Sequence, residues 1–416
     1  MKLKKSLIAG LLVLSTQAAQ AYNVVDRFKM IDDKLKTETM LRPIGHDFIF
    51  DISAALNSDA QIFVSDISDA SKAGSITSAQ TILNKYNNTE QSIKLNLNLG
   101  IPIFSFTAWN VKVQPNFRVM ADVGANLGVR KDTLTAADAL KLFNVSIPAA
   151  IQTKLISQWD SIGSGTDIFS ASNCTSIWND TAEMQAFCNA NTGKYYKPDT
   201  STPNLNIFLK ADAKVGFFNQ YTYGEHFFGD FNFYGLMRSD LFQIVSYKSI
   251  DAGQKIELPK KANNEGTLQV DYRLGYVNQN YSVALGLEEI KLATISKRDA
   301  ESKELAYGYD PLIRLHAQAD YKYTALSLQP FAGVHKRAGY GFADGIYAGA
   351  TAGAHVWGDR LGLSLRGMVD KQYFTITPRI KLWLMQLEYS LKNPVKSTDG
   401  DVKLSAIHSI DFRLFF

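Results

Sequence analysis

The last sixteen residues, Asp401 to Phe416, read DVKLSAIHSIDFRLFF. From Val402 onward every second residue is apolar but one: Val402, Leu404, Ala406, His408, Ile410, Phe412, Leu414 and Phe416, with Lys403, Ser405, Ser409, Asp411 and Arg413 among those between them. A period of two held over this length predicts one β-strand from Val402 to the end, with an apolar face and a wet face. A terminal strand of this kind is an aggregation-prone edge unless it is paired, and closing the sheet on itself removes the edge.

The same alternation recurs upstream. It is clearest over 116–130, where Phe117, Val119, Ala121, Val123, Ala125, Leu127 and Val129 alternate with Arg118, Asp122, Asn126 and Arg130. Further segments fall at 47–56, 91–108, 204–222, 226–247, 266–277, 280–290, 309–324, 325–336, 343–356, 360–370, 372–381 and 383–392, fourteen in all with the closing strand and with twelve or sixteen as alternatives. The gaps at 109–115, 223–225, 278–279, near Thr324, at 357–359 and near Leu382 are short. Those at 57–90, 131–203, 248–265, 291–308, 337–342 and 393–400 are mostly long, with one tight exception at Lys371. Short turns on one side, longer loops on the other and an even count make the fold class all-β: a transmembrane antiparallel up-and-down β-barrel of about 14 strands. The 57–90 loop contains a helix-like stretch, Ser75 to Tyr86, and the 131–203 insertion is partly helical.

The C-terminal segment resembles the bacterial outer-membrane β-barrel proteins, whose last strand ends in Phe after alternating apolar residues. The matching positions are Ile410, Phe412, Leu414 and Phe416, and Leu414 stands where that family typically has an aromatic. The resemblance implies a location in the outer membrane, contact with its lipid, and recognition of these residues by the outer-membrane insertion machinery. In architecture alone, fourteen strands with a lumen insertion are similar to the long-chain fatty-acid transporters of Gram-negative bacteria; no motif carries their binding site.

The chain begins with Lys2, Lys4 and Lys5, an apolar run from Leu7 to Leu14, and Ala19-Gln20-Ala21. This is the pattern of a secretory signal peptide over 1–21, with cleavage after Ala21. Removing its three lysines takes the formal charge from +4 to +1, which leaves no electrostatic footprint for nucleic acid. The run of apolar residues is too short to cross a bilayer as a helix, whereas 19 Tyr, 24 Phe and 5 Trp suit the aromatic girdles of a barrel. Cys174 and Cys188 lie in an exported segment and are expected to form a disulfide.

Residues 22–46 carry Phe28, Ile31 and Leu35 at helical spacing before Pro43, either a periplasmic lead-in or a plug in the barrel. The 131–203 insertion has a helical run at Ala136 to Phe143 and apolar residues at Ile147, Ile151 and Leu155. It is either an external cap or a segment folded into the lumen, where Arg118, Arg130, Lys210 and Lys214 would hold its acidic groups.

If the apolar phase faces lipid, the other phase lines the lumen. Its basic candidates are Arg118, Arg130, Lys210, Lys214, Arg238, Arg273, Arg314, Arg366 and Arg379, and its acidic candidates are Asp122, Asp212, Asp271, Asp320, Asp370 and Glu388, with His316 among them. Charges of both signs in such numbers imply a hydrated interior or a network of cross-strand pairs. No histidine or cysteine pair has metal-ligand spacing, and no cofactor motif is present. His408 sits on the lipid phase, where some outer-membrane hydrolases carry a His and a Ser, but neighbouring strands supply no Ser in that phase. The reading is a channel or transporter for small solutes and not an enzyme. The alternatives are a surface-display barrel acting through 131–203 and 248–265, and then an outer-membrane hydrolase.

Overall fold

The structure, a computed structural model, describes residues 23–40, 46–73, 76–131, 136, 140, 147–197, 202–245, 262–298, 307–356 and 360–416. The signal-peptide segment, most of the helical run at Ala136 to Phe143, the turn at 357–359 and most of the 248–265 loop lie outside the described residues.

Fourteen strands form the wall: β1 (Ile49–Asn57), β2 (Thr89–Pro102), β3 (Val111–Arg130), β4 (Asn204–Tyr223), β5 (Phe227–Val245), β6 (Asn263–Val277), β7 (Tyr281–Arg298), β8 (Leu312–Ala319), β9 (Leu326–Lys336), β10 (Ile346–Val356), β11 (Leu361–Asp370), β12 (Tyr373–Leu382), β13 (Met385–Pro394) and β14 (Ile407–Phe415). Each pairs antiparallel with the next, and β1 pairs with both β2 and β14, so the wall is closed. At strand spacings of about 4.8 Å and a tilt of about 40°, fourteen strands give a barrel roughly 28 Å across.

The two faces sort as the alternation requires. On β3, Val119 and Val123 are 42% and 50% exposed on the outside while Arg118 and Asp122 are each 8% exposed within. Leu363 and Leu365 on β11 and Leu387 on β13 continue the outer apolar belt. A closed wall with polar groups inside and an apolar belt outside is the architecture of an outer-membrane β-barrel, and no helix among the described residues is long and apolar enough to cross a membrane. Tight turns require left-handed backbone at Trp109 (φ 50°) and Asn110 (φ 62°), and the strand resumes at Val111 where a turn through 115 was expected.

The closing strand begins later than its sequence suggests. Asn57, the last residue of β1, pairs with Ile407, and the Ser58 N–H donates to Ala406 O (2.8 Å), beyond which β1 offers no partner. Val402 and Lys403 instead pair with Asp399 and Thr398 in a small hairpin. At the other end Phe416 O accepts the Phe48 N–H (2.9 Å), and the two rings stack with centroids 4.7 Å apart.

Between β1 and β2 two helices form rather than one: α2 (Ala60–Ala73) and α3 (Ile76–Lys85). Phe63, Ala79, Leu83 and Tyr86 pack on Val129, Leu205 and Ile207, covering the outer face of the tall strands β3 and β4 near the long-loop end. Asp66 ties the pair together, accepting from Lys85 Nζ and Tyr86 Oη at 2.6 Å each.

The 131–203 insertion forms helices α4 (Ala149–Gln158), α5 (Ala171–Ser176) and α6 (Ala182–Ala190). They enclose a core of Ile151, Leu155, Ile162, Phe169 and Trp178, stapled by the Cys174–Cys188 disulfide with Cα atoms 5.5 Å apart. Every residue of that core belongs to the insertion. The described part therefore packs on itself and does not fill the lumen.

Candidate functional site

The lumen is occupied by the remaining helix, α1 (Val24–Met40). Its sequence contains neither Gly nor Pro, and the Asn23 side chain caps it by accepting the Asp26 N–H (2.8 Å). At 1.5 Å per residue it is about 25 Å long, enough to cross most of the bore. One end meets β3 and β4: Val24 lies against Gly128, and Phe28 packs on Gly124 and on the Phe208 ring, 5.2 Å between centroids. The other end reaches the far wall, where Thr37 Oγ1 meets Arg314 on β8 and Glu38 pairs with Lys392 on β13. No residue of α1 from Val24 to Glu38 is exposed.

A helix buried all round is ordinarily apolar. This one holds four basic residues (Arg27, Lys29, Lys34, Lys36) and four acidic ones (Asp26, Asp32, Asp33, Glu38), for a net charge of zero. Seven of the eight pair outside the helix. Arg27 reaches Glu90 (2.5 Å) and Asp399 of the small hairpin (3.1 Å), and Lys29 reaches Asp310 (3.5 Å). Asp32 takes Lys94 and Lys210, the latter at 3.5 Å. Asp33 takes Arg337 (2.9 Å), Lys34 takes Asp370 (2.6 Å), and Lys36 takes Glu289 (3.1 Å). Tyr307, just ahead of β8, also points inward and donates its hydroxyl hydrogen to Asp32 Oδ2 (2.8 Å).

Glu289 is the hub of this network. Besides Lys36 it meets Lys214 (3.1 Å), Arg337 (3.0 Å) and Arg238 (3.5 Å). It can do so because the β6–β7 register slips between Val270 and Tyr272, so that Glu288 and Glu289 together face Asp271. The extra residue is a β-bulge. Glu289 adopts φ 58°, and its N–H donates to Asp271 Oδ1 (2.7 Å), which turns two consecutive carboxylates toward the lumen.

Most of the lumen candidates named from the sequence fall into pairs. Arg238 makes a two-pronged contact with Asp212 (2.8 and 2.7 Å), and Lys210 bridges Asp122 (3.2 Å), Asp212 (3.0 Å) and Asp32. Arg130 pairs with Glu90, Arg273 with Asp230, Arg314 with Glu288 (2.9 Å), and both Arg379 (2.6 Å) and Arg366 (3.7 Å) with Glu388. Asp271 accepts from the Tyr234 hydroxyl (2.8 Å), Asp320 from Gln329 (2.6 Å), and His316 Nδ1 lies 3.0 Å from the Tyr347 hydroxyl. Among the described residues, Lys210 and Lys214 take their carboxylate partners from the wall and α1, and Arg130 takes Glu90 of the wall. On the outer face, Tyr389 Oη and His408 Nδ1 are 2.6 Å apart.

Strict alternation missed Glu289, because it places that residue among the lipids. The signal was present: two successive glutamates in a strand cannot both alternate, and one facing hydrocarbon would be costly. Lys94, Arg337 and Lys392 were also missed.

Beneath the C-terminal half of α1 the lumen keeps a cavity of about 290 Å³. Leu35, Lys36 and Glu38 of the helix line it on one side, and it extends past Arg118, Met120 and Phe218 toward Asp51, Asp230 and Arg413. The last three lie within four residues of strand ends at the short-turn end of the barrel.

No protein-family model and no curated protein matches the chain. Among solved structures, the transport unit of the autotransporter AIDA-I from Escherichia coli is similar over 95% of this chain and 99% of its own, at 8% identity and a TM-score of 0.35. A mutant of Rh. blastica porin is similar over 89% and 99%, at 8% identity and 0.28. A Pseudomonas aeruginosa FadL homologue is similar over 78% and 68%, at 10% identity and 0.31.

Proposed function

We propose that this outer-membrane barrel is a gated channel for small polar solutes and that α1 is its gate. The observation that carries the reading is the character of the seam between α1 and the wall. Seven charged residues of the helix find partners beyond it, interleaved with apolar contacts from Val24, Val25, Phe28, Ile31 and Leu35. An apolar seam would lose its whole hydrophobic gain on opening. A buried ion pair is near break-even against hydration of its two charges, so water entering the seam replaces the pairs at modest cost. What remains after α1 leaves is a wide, charged, wettable bore.

Planar-bilayer recording on the mature barrel and on a form lacking residues 22–46 tests this. The intact protein is expected to be closed with rare openings, and the shortened one to conduct steadily. Because α1 is net-neutral, its removal leaves the charge of the wall unchanged, and ion selectivity should be weak. Equal conductance in the two forms would sink the gate. A folded, shortened barrel that never conducts would sink the channel and favour a display role, for which the self-contained disulfide module is the supporting observation.

A further inference from the structure

Among the described residues, one cation lining the cavity beneath α1 has no carboxylate in contact. Lys36 and Lys214 reach Glu289, Lys94 reaches Asp122, Arg273 reaches Asp230, Arg314 reaches Glu288 and Arg413 reaches Asp51, each with a nitrogen within 4.0 Å of a carboxylate oxygen. Arg118 lines the same cavity and, among the described residues, has no carboxylate at that distance. It is 8% exposed, its Nε donates to Asn116 Oδ1 (3.3 Å), and its guanidinium stands 5.4 Å from the centroid of the Phe218 ring. No acceptor among the described residues reaches its two terminal nitrogens.

The surroundings explain why. Asp230 and Asp51 are within electrostatic reach of Arg118, but each already holds an arginine of its own. Three arginines share these two aspartates, and Asp271, which also lines the cavity, is engaged by the Tyr234 hydroxyl and the Glu289 N–H, so Arg118 is left without a carboxylate in contact. A buried guanidinium without a counter-charge is costly, and its planar fork of donors matches a carboxylate in two-pronged geometry. Leu35, Met120 and Phe218 supply apolar surface beside it. A cavity of about 150 Å³ holds benzene, so one of about 290 Å³ suits roughly a dozen non-hydrogen atoms at most.

We propose that Arg118 anchors a binding site for a small monocarboxylate with a compact apolar body, entered from the short-turn end of the barrel. The carboxylate takes the two free nitrogens of Arg118, and the apolar body lies along Phe218 and Met120 toward Leu35 of the gate helix. The site deepens the channel reading by naming a solute class, and it rests on that reading only in taking α1 as its lid. Its test is made on the closed barrel and needs no conductance, so either idea can fail alone.

Sodium benzoate is the probe, titrated calorimetrically into the mature full-length barrel in detergent, with benzamide as the uncharged isostere. Benzoate is expected to bind at least about tenfold more tightly than benzamide. Arg118→Gln should abolish that difference by weakening benzoate at least about tenfold, and Arg118→Lys should fall between, because an ammonium is a point charge rather than a fork. Heat-modifiable migration checks that each variant is folded. Should Arg118→Gln fail to fold, Met120→Trp, which fills the cavity without touching the charge, is expected to abolish benzoate binding. The proposal is overturned by any of four results: no saturable benzoate binding at millimolar concentrations, equal affinity for benzamide, a folded Arg118→Gln that binds like the parent, or a folded Met120→Trp that does so.

Discussion

Lys36 of the central helix and Glu289 of the wall meet at 3.1 Å, and the strand carrying Glu289 is bulged by one residue to make that meeting possible. The gate and the irregularity in the wall are therefore parts of one device. Removing one partner from a buried charge network leaves the others uncompensated, which typically costs about 3–5 kcal/mol. Glu289→Ala is expected to lower the temperature of heat modification and to raise open probability in bilayers. Glu289→Gln, which keeps the shape and loses the charge, should have the same sign. Unchanged gating in both would separate the bulge from the gate.

Gly124 allows α1 to approach the wall. A Cβ built there would stand 2.4 Å from Phe28 Cζ, well inside contact distance. Gly124→Ala should push the helix off β3 and expose Lys29 and Lys34 to trypsin, while Phe28→Ala in the same chain should restore much of the protection. The comparison is a double-mutant cycle, and additive effects would show that the two residues do not meet.

Phe416 secures the join between the first and last strands through its carbonyl and its ring. Deleting it should reduce the yield of heat-modifiable barrel without changing the amount of protein exported. Assembly at the parental level would remove the C-terminal residue from any part in closure.

The α2–α3 pair carries a pH dependence. Hydrogen bonds from Lys85 and then Tyr86 hold the Asp66 carboxyl below its usual range. A depressed carboxylate contributes stability that is present above its unfolded value, near 3.8, and is lost as pH falls through the lower folded value. Protease cleavage in 60–85 should therefore rise below about pH 4 in the parent and show no such step in Asp66→Asn. A parent whose cleavage is flat through that range would show that Asp66 does not tie the two helices.

The wall was legible because its rule is local. Phe117 to Val129 declare their faces by a period of two, and one lipid-facing residue in each pair repeats the message fourteen times over. What escaped depends on partners far away in the chain. Glu289 breaks the period through a bulge against Asp271, and the doubled glutamate marks a slip without saying which strand partner absorbs it. Val402 keeps the alternation of the closing strand but leaves it, since β1 ends at Asn57. The charges of α1 read equally well as a solvated lead-in or as groups matched to a polar wall. Only the matching of each one to a partner such as Asp370 or Arg337 separates the two.

That matching also fixes an order of events during biogenesis. The partners of Arg27 include Asp399, 372 residues further along, and those of Asp33 and Lys34 lie on or beyond β9. Contacts between such distant positions have to wait for the loops between them to close. The helix α1 is thus among the last elements to find its place, and it waits in water meanwhile. An oily helix would seek any hydrophobic surface during that delay. One with four charges of each sign stays hydrated and harmless until a finished wall offers it counter-ions.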